Sequence, residues 1–157
     1  MAAPTFTLGT LNGQSYALAH ALEKGPVLAA FFKISCPVCQ FTFPFLERLY
    51  ETYAESPVTF WGISQDNAAD TQEFLIEFGV KFPTLLDADG YKVSKQYGLT
   101  NVPSIFLIQP DGNVHTACIG FARRDLETIA AEIAQASGKP VRPIFLPGEK
   151  VPDYRPG

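Results

Sequence analysis

The sequence predicts an α/β fold with a central mixed sheet and helices on both faces. Two nearly continuous apolar runs, residues 27–34 and 58–63, read as strands buried on both sides. Each leads into a stretch with apolar residues at helical spacing, and that alternation implies parallel pairing. A late pair of strands, residues 104–108 and 114–119, flanks the turn Pro110-Asp111-Gly112-Asn113 and adds an antiparallel edge.

In chain order, Phe6-Thr7-Leu8 and Tyr16-Ala17-Leu18 form an N-terminal hairpin around Asn12-Gly13, a dipeptide favoured in tight turns. After the first buried strand, residues 37–54 carry Phe41, Phe45, Leu46, Leu49, Tyr50 and Tyr53 on a helical stripe. The second strand is followed by a helix over 68–78, with Phe74, Leu75 and Phe78 on one side. A short apolar piece, 84–86, leads into the turn Asp87-Ala88-Asp89-Gly90 and a short helix over 91–97. An amphipathic helix over 125–136 closes the domain. From Lys139 onward the chain holds five prolines, which exclude regular helix and predict an extended arm. The expected division is one domain over 1–138 with a proline-rich extension over 139–157.

Composition narrows the function. With 157 residues, nearly half of them apolar and 13 of them Phe, the chain can fill one core. Its net charge is −4 and its 12 Lys and Arg are scattered, which argues against nucleic acid and anionic membranes as partners. No apolar run approaches the roughly 20 residues needed to span a bilayer. The start, Met1-Ala2-Ala3-Pro4, has neither the basic nor the apolar region of a signal peptide, so the expected location is cytoplasmic, or exported if a leader has been removed. Three cysteines, a close pair and one distant, do not suit a disulfide-stapled scaffold.

The chemistry is expected at Cys36-Pro37-Val38-Cys39, where a buried strand ends and a long helix begins. A sulfur at a helix N-terminus faces unpaired N–H groups and the positive end of the helix dipole, which stabilise a thiolate. Pro37 suits the first helical position, where its missing N–H has no partner to lose. The two-residue spacing puts Cys39 one turn on, so Cys36 is the exposed attacking thiol and Cys39 the buried resolving one. Zinc is disfavoured because the chain offers no four-ligand set, only this pair, Cys118 and the isolated His20 and His115. A purely structural disulfide here would stabilise little, because the loop it closes is so short. Cys118, between Ala117 and Ile119, reads as a buried core thiol. Trp61 reads as core, and Phe41 and Phe43 as rim of the site.

With the dithiol in this setting, the chain resembles the thioredoxin superfamily, and within it the TlpA-type or redoxin branch. The resemblance rests on Phe31-Phe32 before the dithiol, Pro44 five residues after Cys39, and the run Asn101-Val102-Pro103-Ser104-Ile105-Phe106-Leu107-Ile108. Asp111-Gly112 and Gly120 add to it. It covers about residues 4 to 137, and the N-terminal hairpin and the β-α unit inserted between Cys39 and Pro103 indicate the branch. The resemblance implies a thioredoxin-like fold and a cis Val102–Pro103 bond opposite Cys36. It also implies a substrate face formed by Val102, Pro103, Pro37 and Val38. It implies no cofactor beyond the redox-active Cys36–Cys39 couple, with disulfide or thiol substrates and an upstream thiol reductant as partners.

Three positions depart from that family. Ser35 stands where Trp usually precedes the first cysteine, Ala30 where thioredoxins bury an acid, and Thr42 where TlpA-like proteins often carry Glu. Both places for a proton-handling carboxylate are therefore filled by other residues. Two rival functions follow. One is a peroxiredoxin-like, antioxidant peroxidase with Cys36 peroxidatic and Cys39 resolving. Against it, Lys33 and Ala29 replace that family's Thr and Pro. The other is a non-enzymatic binding module on the same fold.

Overall fold

The computed structural model describes residues 1–157. Its elements are β1 (Thr7–Gly9), β2 (Ser15–Ala17), α1 (Leu18–Leu22), β3 (Val27–Phe32), α2 (Pro37–Thr52), β4 (Thr59–Ser64), α3 (Ala68–Glu77) and β5 (Thr84–Leu86). They continue as α4 (Lys92–Gln96), β6 (Ser104–Ile108), β7 (Val114–Ile119), β8 (Phe121–Ala122), α5 (Arg123–Ser137) and β9 (Tyr154–Arg155). Five strands form the central sheet in the order β5-β4-β3-β6-β7. The β3–β4 and β4–β5 pairs are parallel, while β3–β6 and β6–β7 are antiparallel. The sheet is mixed, as the alternation of elements predicts.

The fully apolar β3 is explained by the layers on its two faces. Successive side chains of a strand point to opposite sides, so Leu28, Ala30 and Phe32 enter a core shared with α2, α3 and α5. Val27, Ala29 and Phe31 enter a second core with Phe6, Leu18, Trp61 and Val93, beneath the N-terminal hairpin, α1 and α4. All six β3 residues are buried. The central strand therefore cannot shift register by one residue without exchanging the two cores.

Two features differ from the expectation. Leu18 does not end a hairpin strand but starts α1, a single helical turn over the second core. The strand pair β8–β9 also goes beyond the sequence reading: Phe121 pairs with Arg155 and Ala122 with Tyr154. The arm is irregular through most of 139–157 and packs on its own domain, the simplest expectation for such a segment. Ile144 and Phe145 are buried, and Arg48 forms a two-pronged ion pair with Glu149 at 2.7 and 2.8 Å. Arg48 Nη1 also donates to the Ile144 carbonyl at 2.8 Å. The guanidinium holds the Glu149 carboxyl down to about 2.

Candidate functional site

Helix α2 is aimed by the strand that precedes it. β3 is fixed on both faces, and four residues after it Cys36 caps the helix in an extended conformation, with Pro37 in the first turn. Cys36 Sγ accepts the N–H of Cys39 at 3.1 Å, the bond that an unpaired donor at a helix start calls for. The same sulfur lies 3.4 Å from the Val102 carbonyl oxygen, to which the thiol donates. The Val102–Pro103 peptide bond is cis. Sixty-six positions separate Cys36 from Val102 in sequence. The antiparallel β3–β6 pairing brings them together, because it sets Phe31 opposite Ser104.

The two thiols differ in setting. Cys36 is half-buried; Cys39 is fully buried and packs within the larger core. Burial is the main influence holding the Cys39 thiol well above its ordinary range, and the adjoining Cys36 sulfur adds to it. The carboxylate of Asp66 acts in the same direction. Asp66 is the acidic residue that sequence reading missed. It follows β4, and its Oδ2 accepts the Ile34 N–H at 2.8 Å, so it is tied to the segment between β3 and Cys36. Only the parallel β3–β4 pairing makes these segments neighbours. Thr42 is buried and its hydroxyl donates to Val38 O of its own helix at 2.7 Å.

Pro37 is exposed beside Cys36, and Pro103 is buried beneath Val102. Val38 is only 8% exposed and packs into the core, so it can offer an incoming chain little more than backbone. Phe41 is half-exposed, as expected of a rim residue. Phe43 is not at the rim: it is fully buried against Phe32, Phe74 and Phe82, because it lies on the inward stripe of α2. His20 and His115 are exposed and paired with Glu23 and Glu132 respectively.

Cys118 is fully buried in β7 opposite Ile105, its thiol directed at the Gly120 and Ala122 carbonyls at 3.5 and 3.7 Å. Burial pushes it up to about 11. Cys118→Ala is expected to retain disulfide reductase activity while lowering stability by roughly 1–2 kcal/mol through lost packing. Activity assays beside denaturant unfolding check this, and loss of activity in a folded variant would give Cys118 a redox role.

Comparison with known proteins agrees with this geometry. The AhpC/TSA family model matches residues 1–117. The thiol-disulfide oxidoreductase ResA of Bacillus thuringiensis (strain Al Hakam) is 32% identical over 119 residues, covering 75% of this chain and 68% of the relative. The thioredoxin domain of a thiol-disulfide oxidoreductase from Bacteroides vulgatus superimposes with a TM-score of 0.74 at 25% identity, over 85% of this chain and 96% of that one. A secreted Mycobacterium tuberculosis disulfide oxidoreductase gives 0.63 at 28% identity, over 72% and 81%. No helix is long and apolar enough to cross a membrane. With a buried and a half-exposed cysteine one helical turn apart, and with these relatives, the chain belongs to the AhpC/TSA family as a redoxin-type thiol–disulfide oxidoreductase.

Proposed function

We propose that the chain reduces disulfides through a mixed disulfide on Cys36. The observation that carries this reading is the unequal pair: Cys36 half-exposed at the helix start, Cys39 fully buried behind it. The Cys36 thiolate attacks one substrate sulfur, forming the mixed disulfide and releasing the other substrate sulfur as a thiolate. Cys39 then loses its proton and attacks Cys36 Sγ, which closes the Cys36–Cys39 disulfide and releases the second substrate thiolate. Two electrons pass to the substrate, and an upstream thiol reductant restores the pair.

The first step makes the second easier. Once Cys36 is in a mixed disulfide, it carries neither the charge nor the thiol hydrogen bond that raise Cys39. Burial and the Asp66 charge remain. No cofactor is needed for this cycle, since the dithiol holds the electrons.

The substrate face in this reading is the backbone of Val102 above Pro103, with exposed Pro37 at its edge and Val38 beneath. Residues 1–138 are the catalytic domain and 139–157 its extension. The peroxidase alternative has less support: Cys36 Sγ is partnered by a backbone N–H and a backbone carbonyl, and no hydroxyl side chain reaches it.

A cytoplasmic location favours a reductant, because thiol systems there keep dithiols reduced. Equilibration of the Cys36–Cys39 couple with glutathione redox buffers tests the direction. A reductant is expected near thioredoxin's value of about −270 mV, and a value near about −120 mV would mark an oxidant instead. The oxidising outcome would go with the secreted setting described for the Mycobacterium tuberculosis relative.

A further inference from the structure

Residues 154–157 lie on the face proposed above for substrate. The arm's firmly held part is 140–149, where Ile144 and Phe145 are buried and Arg48 grips Glu149. The following residues are held differently. The Asp153 backbone carbonyl accepts the Arg123 N–H at 2.9 Å, and Tyr154 and Arg155 form a two-residue antiparallel ladder with the edge of β8. The chain then passes over Gly120, whose φ of +73° leaves its Cα bare; a Cβ there would lie 2.6 Å from the Arg155 carbonyl. Gly120 N–H in turn donates to the Pro103 carbonyl at 2.8 Å. Gly157 arrives directly on Val102: a Cβ at 157 would collide with the Val102 carbonyl oxygen, the atom to which Cys36 donates. Asn101 Nδ2 donates to the Gly157 carbonyl at 3.3 Å, and the Arg155 guanidinium sits 5.1 Å over the Phe41 ring.

We infer that residues 154–157 are a displaceable latch on the track that receives an extended polypeptide disulfide substrate. The inference rests on the reading that the Val102–Pro103 backbone is the substrate face. Three observations carry it. The segment is itself extended and pairs as a strand, so the surface it covers has the shape and free backbone groups that an extended polypeptide needs. Val102 N–H has no backbone acceptor, which leaves a donor beside the occupied carbonyl. The hold is light: two ladder residues, one side-chain hydrogen bond and one cation–π contact, with Tyr154, Pro156 and Gly157 exposed. The anchored stretch before it keeps residues 154–157 near their site after release, so rebinding is intramolecular.

The latch distinguishes substrates by size. A polypeptide needs the β8 edge and Val102 together and must displace 154–157. A small disulfide needs only Cys36, which stays half-exposed with the latch in place. In the active state Phe41 is uncovered as well, offering an aromatic face to a cationic side chain of the polypeptide.

The test compares the full chain with one lacking 154–157, using insulin as the polypeptide disulfide and 2-hydroxyethyl disulfide as the small one. Removal of the latch is expected to speed insulin reduction at least about tenfold, the gain when a state only about one-tenth competent becomes fully competent. The small disulfide is expected to change less than about twofold on the same basis. Full-length Gly157→Val and Arg155→Ala, which leave the anchored arm intact, are expected to move insulin reduction the same way. A peptide of residues 150–157 added to the shortened chain is expected to slow it again. Equal insulin rates in all these proteins, with the small disulfide reduced normally, would overturn the latch and leave the oxidoreductase reading standing. Equal acceleration of both disulfides would overturn the polypeptide track. Inertness of every protein to both disulfides would remove the reading itself, and the latch with it.

Discussion

Cys39→Ala is expected to stop the cycle halfway and accumulate a mixed disulfide between Cys36 and substrate. The variant keeps the attacking sulfur at the helix start and the neighbouring Val102 carbonyl, so the first exchange still occurs. It loses the only thiol positioned behind Cys36, and release then depends on thiols from solution. Well-oriented intramolecular partners act as though present at molar concentrations and far above, against about millimolar external thiol, so turnover falls by roughly a hundredfold or more. Cys36→Ala is expected to abolish trapping and turnover together. In the unaltered chain's mixed disulfide, burial and the Asp66 charge still hold the Cys39 thiol above its ordinary range. Where resolution limits the rate, turnover therefore rises with pH through the neutral range, because each step up increases the Cys39 thiolate. A pH-independent rate in that range would place the slow step before resolution.

The largest effect on stability is expected from Phe121→Ala. Phe121 is fully buried although β8 is only two residues long. Its ring meets Phe41 at 5.0 Å, Phe45 at 6.2 Å and Phe145 at 5.7 Å, joining helix α2 to the arm. Truncation leaves a cavity at this junction and removes packing from three rings at once, a loss of about 3–5 kcal/mol. For a chain of this size that lowers Tm by roughly 6–20 °C. Thermal unfolding followed by circular dichroism checks it. A loss below about 1 kcal/mol, typical of surface positions, would mean that the arm does not dock on this cluster.

The central sheet and its larger helices were legible because their signals are local and strong. The run from Val27 to Phe32 has no polar residue, which only a strand covered on both faces tolerates in this setting. The dithiol was legible for the same reason, since its meaning comes from its position between that strand and α2. The failures share a different cause. Helix α1 is five residues long, too short to show a helical period, and Leu18 fits a hairpin strand equally well. Strands β8 and β9 have two residues each and are defined only by one another. Arg48 and Glu149 are 101 positions apart, and nothing near either residue announces the pair. Asp66 stands in a turn rich in polar residues, where its link to Ile34 depends on the register of β3 with β4. Phe43 was misplaced because aromatic residues near a helix start fit rim and core alike until the helix is rotated onto its sheet.

The most direct test of the dithiol mechanism is mass spectrometry of the Cys39→Ala protein after reaction with excess polypeptide disulfide and proteolysis. Attack by Cys36 predicts the substrate adduct on the peptide that begins at Ile34 and contains Cys36, at close to one per chain, with Cys118 unmodified. An adduct on the Cys118 peptide, or no adduct in a folded protein whose Cys36 still alkylates, would contradict it.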